Sequence, residues 1–579
     1  MSLSSDPPSL RETLRKSGAQ ALRTVARSLR FIGNAIRPGI EVVPATADIH
    51  IVWDAPVTVR DGTVLRVNIF RPPGDGPFPV ILSAHPYGKD KIPAKTRSER
   101  GAPVQARLLP QPRPIRISQY TSWEAPDPAV WVKEGYAVIN ADLRGGGTSE
   151  GMGDLFSDGE AEDYYDLIEW AGTQPWSSGK VGLDGVSYLA ISQYKVAALY
   201  PPHLAAICPW EGLSDLYRDF ARPGGVREEG FSQLWSWLTG KEARVRTSLY
   251  QAILDHPHRD DWYKARTPRL EDIQVPILVC GSFSDHLLHT RGSFEVFRRA
   301  GSAQKWLYTH RDGKWCAYYS EEATRTRIRF FDHVLKGTAN GWATQPAVRL
   351  ALTETGANPV AVLPELAWPP PDLQWRKLWL DAASGTLQGE QEPAVAATAS
   401  FQTPQGRVGF VWTVPEDMDM IGEMALYLHV DVEGADDVSL FAGLRKFRAG
   451  AEVVFEGSYG FSGDMVSKGW QRVAQRELDP VLSSPAQPVH RHERDEPLRP
   501  GEVVPVVMAM RPHATRLRQG NQLQLDIQGH WFYPRSVFRG QFPAAYQPSN
   551  KALCTLHTGG LYSAYLLVGT RPVKEGFMR

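Results

Sequence analysis

Six short apolar runs recur between residues 78 and 310: FPVILSAHPY, YAVINADLRGGG, KVGLDGVS, LAAICPWEG, VPILVCGSFSD and KWLYTH. They constrain the fold more than any other feature of the chain. Runs of Val, Ile, Leu and Ala without polar alternation suit strands buried on both faces, the condition of a parallel sheet. Helical patterns, DGEAEDYYDLIEWAGTQ and YLAISQYKVAALY, fall between them. Residues 46–345 therefore read as an α/β sheet covered on both sides. Ahead of it, APVTVRDGTVLRVNIFRPP alternates apolar and polar residues about Asp61-Gly62, which predicts an antiparallel hairpin.

Two segments break this rhythm. Residues 213–270 place Leu216, Tyr217, Phe220, Phe231, Leu234, Trp235, Trp237 and Leu238 at helical spacing and read as a helical insertion above the sheet. Beyond residue 346 the chain turns to alternating pieces such as MALYLHVDVEG and QLQLDIQGHW, separated by Gly, Pro and Asp. That predicts an all-β domain over 346–579, a sandwich or jelly roll. Residues 1–45 form an arm in which Leu10, Leu14, Leu22, Val25, Leu29, Ile32 and Ile36 recur beside Arg11, Arg15, Lys16, Arg23, Arg27 and Arg30. This is the pattern of a basic amphipathic helix, suited to packing on its own body or on a second protomer.

Composition narrows the function classes. The 64 basic and 64 acidic residues cancel, which gives no field for nucleic acid or an anionic membrane. Four scattered cysteines form neither a metal knuckle nor a disulfide framework, and no apolar run is long enough to span a bilayer. No secretory leader is visible, so a soluble, cytoplasmic protein is expected. DHPHRDDWY and HRHERDE read as solvated loops, DLRGGGTSEG lacks the lysine of a phosphate loop, and no metal or other cofactor is expected.

Two serines compete as nucleophile. GTSEG, around Ser149, spells G-x-S-x-G, whereas Ser187 in GVSYL does not, because Leu189 fills the last position. Context favours Ser187. It lies between the strand-like KVGLDGV and the helix-like YLAISQYKVAALY, at a turn that would expose Oγ and aim a helix N-terminus at developing negative charge. Ser149 is followed by a polar, Gly-rich loop. In this architecture the orienting acid and then the base follow the nucleophile. Asp285, ending VPILVCGSFSD, and His310, ending KWLYTH, fill those places at the carboxyl edge of the sheet. His286, His289, His333 and Asp312 compete; the first two fall in the segment just after Asp285, and His333 lies in a helical pattern. Glu211, Asp215, Glu228 and Glu229 read as solvated surface.

With these residues placed, the chain resembles the CocE/NonD hydrolases, relatives of cocaine esterase, α-amino-acid ester hydrolases and X-prolyl dipeptidyl peptidases. HPYGKDK, YAVINADLRGGGTSEG, GKVGLDGVSYLA, GSFSDHLLHTRG, FFDHVLKG and VSKGW carry the resemblance. It departs from the family pattern at Ala190 and Phe283, and WLYTH does not reproduce the G-P-W-like strand that commonly precedes the family's histidine. The resemblance implies an α/β-hydrolase fold over 46–212 and 271–345, with 213–270 as a helical cap and a C-terminal jelly roll. It also implies an oxyanion hole formed by the Tyr87 hydroxyl and the Tyr188 N–H. The expected activity is hydrolysis of a small-molecule carboxylic ester, or an amide, through an acyl-enzyme on Ser187. The rivals are an X-Pro dipeptidyl peptidase or α-amino-acid ester hydrolase with the same triad, an acyltransferase, and an inactive ligand-binding relative. A homo-oligomer built through the arm is a further expectation.

Overall fold

The computed structural model describes residue 25 and residues 28–46, 48–95, 109–389, 391–538 and 540–576. Its centre is one sheet. The hairpin about Asp61-Gly62 joins His50–Thr58 to Val64–Arg71, which runs antiparallel to Ala137–Asp142. From there the strands are parallel: Ala137–Asp142, Phe78–His85, Ser177–Val186, Leu204–Trp210, Ile277–Ser282 and Lys305–His310. The spatial order is thus first, second, fourth, third, then fifth to eighth along the chain, the topology of an α/β-hydrolase sheet.

The apolar runs bury both of their faces. Val80, Leu82, Leu183 and Val279 join one core with Tyr164, Leu167 and Leu189 from the helices Asp158–Gly172 and Tyr188–Ala197. Ile81, Val186, Cys208 and Leu278 join the opposite core with Phe330 and Phe331 of the helix Glu321–Lys336. At about 1.5–3 kcal/mol for each fully buried aliphatic side chain, this double burial is what drives the strands together. All four cysteines are free and buried.

One charged pair crosses the second core. Arg327 donates to Asp184 Oδ2 at 2.5 Å, both side chains being almost wholly buried. Burial pushes the Asp184 carboxyl up, against the pull of Arg327. The pair ties the helix Glu321–Lys336 to the strand three residues before Ser187. Removing one partner of such a pair leaves a buried charge and costs about 3–5 kcal/mol.

Between the strands Leu204–Trp210 and Ile277–Ser282 the chain forms the helices Phe231–Glu242, Leu249–Asp255 and Asp261–Ala265. Glu228 and Asp215 are not the solvated surface that the sequence suggested. Glu228 is buried because its carboxylate accepts the N–H groups of Gly230, Phe231, Ser232 and Ala545. Asp215 is buried between Arg218 and Arg259. Glu229 pairs with Arg227.

The C-terminal part is all-β. Met418–Glu433 pairs antiparallel with Val504–Leu517, Ala552–Thr558 and Tyr565–Pro572, and Ser439–Arg448 pairs with Ser467–Arg472 and Gln522–Gln528. Leu426, Leu440, Val506, Leu525 and Leu566 belong to its own core. It is joined to the first sheet where Thr353 pairs with Thr515.

Of the predicted arm, residues 1–24, 26 and 27 lie outside the described residues. Residues 28–36 are helical, with Phe31 set edge-on to Phe538 at 5.3 Å and Leu29 and Ile36 exposed. Among the described residues no helix is long and apolar enough to cross a membrane.

Candidate active site

The strand Ser177–Val186 ends at Ser187, and the helix Tyr188–Ala197 begins at the next residue. No room is left for a loop, so the reversal is absorbed at Ser187 itself, which sits at φ 61° and ψ −117°. A positive φ is costly for a residue with a Cβ, and such strain gathers at functional sites. Gly185 makes the turn feasible. It adopts φ 154°, and a Cβ there would meet Leu189 Cβ at 2.5 Å. The Ser187 side chain caps nothing in its helix. Its Oγ lies 3.2 Å from His289 Nε2.

Ser149 is placed otherwise. It is fully buried, its hydroxyl donates to Asp142 O at 2.7 Å, and the same oxygen accepts the Arg66 N–H at 2.8 Å. Both bonds hold the turn after the strand Ala137–Asp142. They leave Oγ no path to a substrate.

The histidine at Ser187 is not the one predicted. His289 Nδ1 lies 2.6 Å from Asp285 Oδ2, so Ser187, His289 and Asp285 form one continuous chain of contacts. Asp285 and His289 are four residues apart on the turn leading into the helix Thr290–Arg299, and the N–H groups of Leu288, His289 and Thr290 all close onto the Asp285 carbonyl. On such a turn, positions i and i+4 share a face. That spacing, legible in DHLLH, is the signal that identifies His289.

His310 does end its strand at the carboxyl edge, level with Ser282. It faces Glu211 instead, with Nε2 3.0 Å from Glu211 Oε1, and its ring stacks on Trp210 at 6.1 Å. His310 Nδ1 accepts the Asp312 N–H at 3.2 Å, which leaves the ring proton of the neutral form on Nε2, toward Glu211. Ser187 and Asp285 thus come together as expected, with His289 rather than His310 between them.

Electrostatics suit an ionised acid at His289. Burial alone would raise the Asp285 carboxyl, but His289 first, then Lys314 and Ser458, outweigh it and hold it at about 2. Asp285 accepting at Nδ1 fixes the tautomer whose Nε2 can take the Ser187 proton. Ser458 belongs to the C-terminal domain. Its Oγ donates to Ser284 O at 3.3 Å and lies 3.4 Å from the Leu287 N–H, so it fastens both sides of the Asp285 turn.

Tyr87 and Tyr188 are neighbours, their rings 5.8 Å apart. Trp235 Nε1 donates to the Tyr87 hydroxyl oxygen at 3.0 Å, which leaves the hydroxyl proton free to be donated elsewhere. Burial pushes the Tyr87 phenol well above its ordinary value, so it stays protonated. Tyr188 is the first residue of its helix, where a backbone N–H has no intrahelical acceptor. Its own hydroxyl donates to Glu160 at 2.5 Å.

Sequence reasoning missed two acids beside this constellation. Glu211, at φ 51°, is fully buried next to the end of the strand Leu204–Trp210. Glu124, at φ 68°, gives its carbonyl to the Val186 N–H and accepts from Trp315 Nε1 at 2.8 Å. Burial pushes the Glu124 carboxyl up. Charged residues usually avoid the interior, so nothing in the sequence marked either one.

Comparison with known proteins agrees with this architecture. Residues 61–312 match the X-Pro dipeptidyl-peptidase (S15 family) model, and residues 340–565 match the X-Pro dipeptidyl-peptidase C-terminal non-catalytic domain. A CocE/NonD family hydrolase from Staphylococcus aureus superposes with a TM-score of 0.84 at 37% identity, covering 90% of this chain and 93% of that one. Cocaine esterase from Rhodococcus sp. (strain MB1 Bresler) is 26% identical over 60% of this chain and 66% of its own length. An Xaa-Pro dipeptidyl-peptidase from Streptococcus gordonii (strain Challis) is 24% identical over 34% of this chain and 32% of its own. The chain thus spans less than two thirds of either of these two curated relatives. The fold and these matches define an α/β-hydrolase with an appended all-β domain. The chain belongs to the CocE/NonD hydrolase family, which is related to the S15 peptidases.

Proposed function

We propose that the protein hydrolyses a carboxylic ester through an acyl-enzyme on Ser187. His289 takes the Ser187 proton as Oγ attacks the acyl carbon, and then delivers it to the departing alkoxide. Asp285 keeps His289 in the working tautomer and steadies the imidazolium that forms. The Tyr87 hydroxyl and the Tyr188 N–H receive the oxyanion, with the N-terminus of the helix Tyr188–Ala197 adding its partial positive charge. Water, deprotonated by His289, then attacks the acyl carbon and releases the acid, returning the proton to Ser187.

The observation that carries this reading is the unbroken chain from Ser187 Oγ to His289 Nε2 at 3.2 Å and from His289 Nδ1 to Asp285 at 2.6 Å, built on a strained turn. The test is intact mass after exposure to a fluorophosphonate. A single adduct should form on the wild type and on Ser149→Ala, and be absent from Ser187→Ala. An adduct surviving in Ser187→Ala would overturn the assignment.

The S15 match favours a second reading, cleavage of X-Pro peptides by the same relay. Turnover of an Xaa-Pro anilide that depends on a free α-amino group would favour it, and turnover of esters lacking any amine would favour the first.

A further inference from the structure

Glu211, buried beside the relay, has no role in the chemistry just described. One oxygen or nitrogen each from Glu211, Asp285 and His289 lie within 4.8 Å of one another, and all three residues are buried. Both Glu211 carboxylate oxygens and Asp285 Oδ1 lack a hydrogen-bond partner. The 3.0 Å approach of His310 Nε2 to Glu211 is out of line for a hydrogen bond and leaves that oxygen unsatisfied. Buried carboxylate oxygens without donors are expensive, and a cation relieves that cost by direct bonding.

We propose that Glu211, Asp285 and His289 bind one divalent transition-metal ion, with Zn²⁺ the type case, and that the bound ion stops the enzyme. Two carboxylates with an imidazole form a donor set suited to Zn²⁺; Mg²⁺, which prefers oxygen ligands and holds its water, suits it poorly. His310 lies beside the site without ligating, its Nε2 3.0 Å from Glu211 Oε1 but out of line for a hydrogen bond. The ion competes for His289 and Asp285, so the base can no longer take the Ser187 proton. Binding forms three metal–ligand bonds at the expense of metal-bound water and involves no oxidation. It rests on the cluster alone. The braking effect rests also on the reading of Ser187 as nucleophile.

Titrating Zn²⁺ calorimetrically into Ser187→Ala tests binding apart from activity. One ion per chain is expected, with affinity about tenfold or more weaker in Ser187→Ala/Glu211→Gln and Mg²⁺ unable to compete. Asp285→Asn, added in the same way, gives a second ligand variant, and a thermal melt shows which variants are folded. Absence of stoichiometric uptake, or equal affinity in the folded ligand variants, overturns the site. In the wild type, Zn²⁺ should slow fluorophosphonate labelling and a chelator should restore it. Labelling indifferent to the bound ion overturns the brake. Failure of the Ser187 reading would show instead as a wild type that takes up Zn²⁺ but forms no adduct.

Discussion

Exchanging the two histidines at the carboxyl edge of the sheet separates base from bystander. His289 Nε2 lies 3.2 Å from Ser187 Oγ, within the range across which a proton can pass, whereas His310 contacts Glu211 and the Asp312 N–H. A positioned general base contributes about 10²–10⁴-fold, or ~3–5.5 kcal/mol of barrier. His289→Gln should therefore slow acylation by about that factor. His310→Gln touches none of the reacting atoms and should lower the rate by less than about tenfold. The assay is the second-order rate of fluorophosphonate labelling, followed by intact mass near neutral pH, with melting temperatures recorded to separate lost chemistry from lost fold. If His310→Gln is as slow as His289→Gln, or if His289→Gln labels within about tenfold of wild type, the reasoning from geometry fails and the strand-end histidine is the base.

Three further outcomes are expected. Tyr87→Phe should lower kcat by about 10²-fold with KM little changed, because its donor acts on charge present only in the transition state; a change confined to KM would place Tyr87 in ground-state binding instead. Gly185→Ala should yield protein that misfolds or does not label, since its Cβ would strike Leu189 at a backbone angle an L-residue rarely adopts; normal labelling would show that the turn tolerates a different path. Asp285, held at about 2 against an ordinary 3.8, contributes stability that is present above about pH 4 and disappears as pH falls through 2. Melting temperature should accordingly fall more steeply between pH 4 and 2 in the wild type than in Asp285→Asn, and identical slopes would refute the shift.

The strands were legible because burial on both faces writes itself as uninterrupted apolar runs: Val80 and Leu82 face one core while Ile81 faces the other. The turn at Ser187 was legible for a local reason, since a strand pattern meets a helix pattern with nothing between. The histidine that lies beside Ser187 was not read correctly. Expecting a histidine at the end of the following strand drew attention to His310, although the i, i+4 pair Asp285 and His289 already placed two partners on one turn. Glu211, Glu228 and Asp215 were misread for another reason. Glu228 takes three donors from the turn that follows it and a fourth from Ala545, Asp215 lies between Arg218 and Arg259, and Glu211 faces His310, so part of each enclosure comes from distant chain that the local sequence does not show.

Ser458 braces the Asp285 turn from 174 residues away in the sequence. The acid's rigidity is therefore on loan from another domain. Cutting the chain near residue 346 would give a hydrolase half with its serine turn present but without Ser458 on either side of the turn that carries Asp285 and His289. Exchanging C-terminal halves among relatives would carry over part of the catalytic clock along with the β-domain. In this chain the β-domain is thus part of what holds that turn in place.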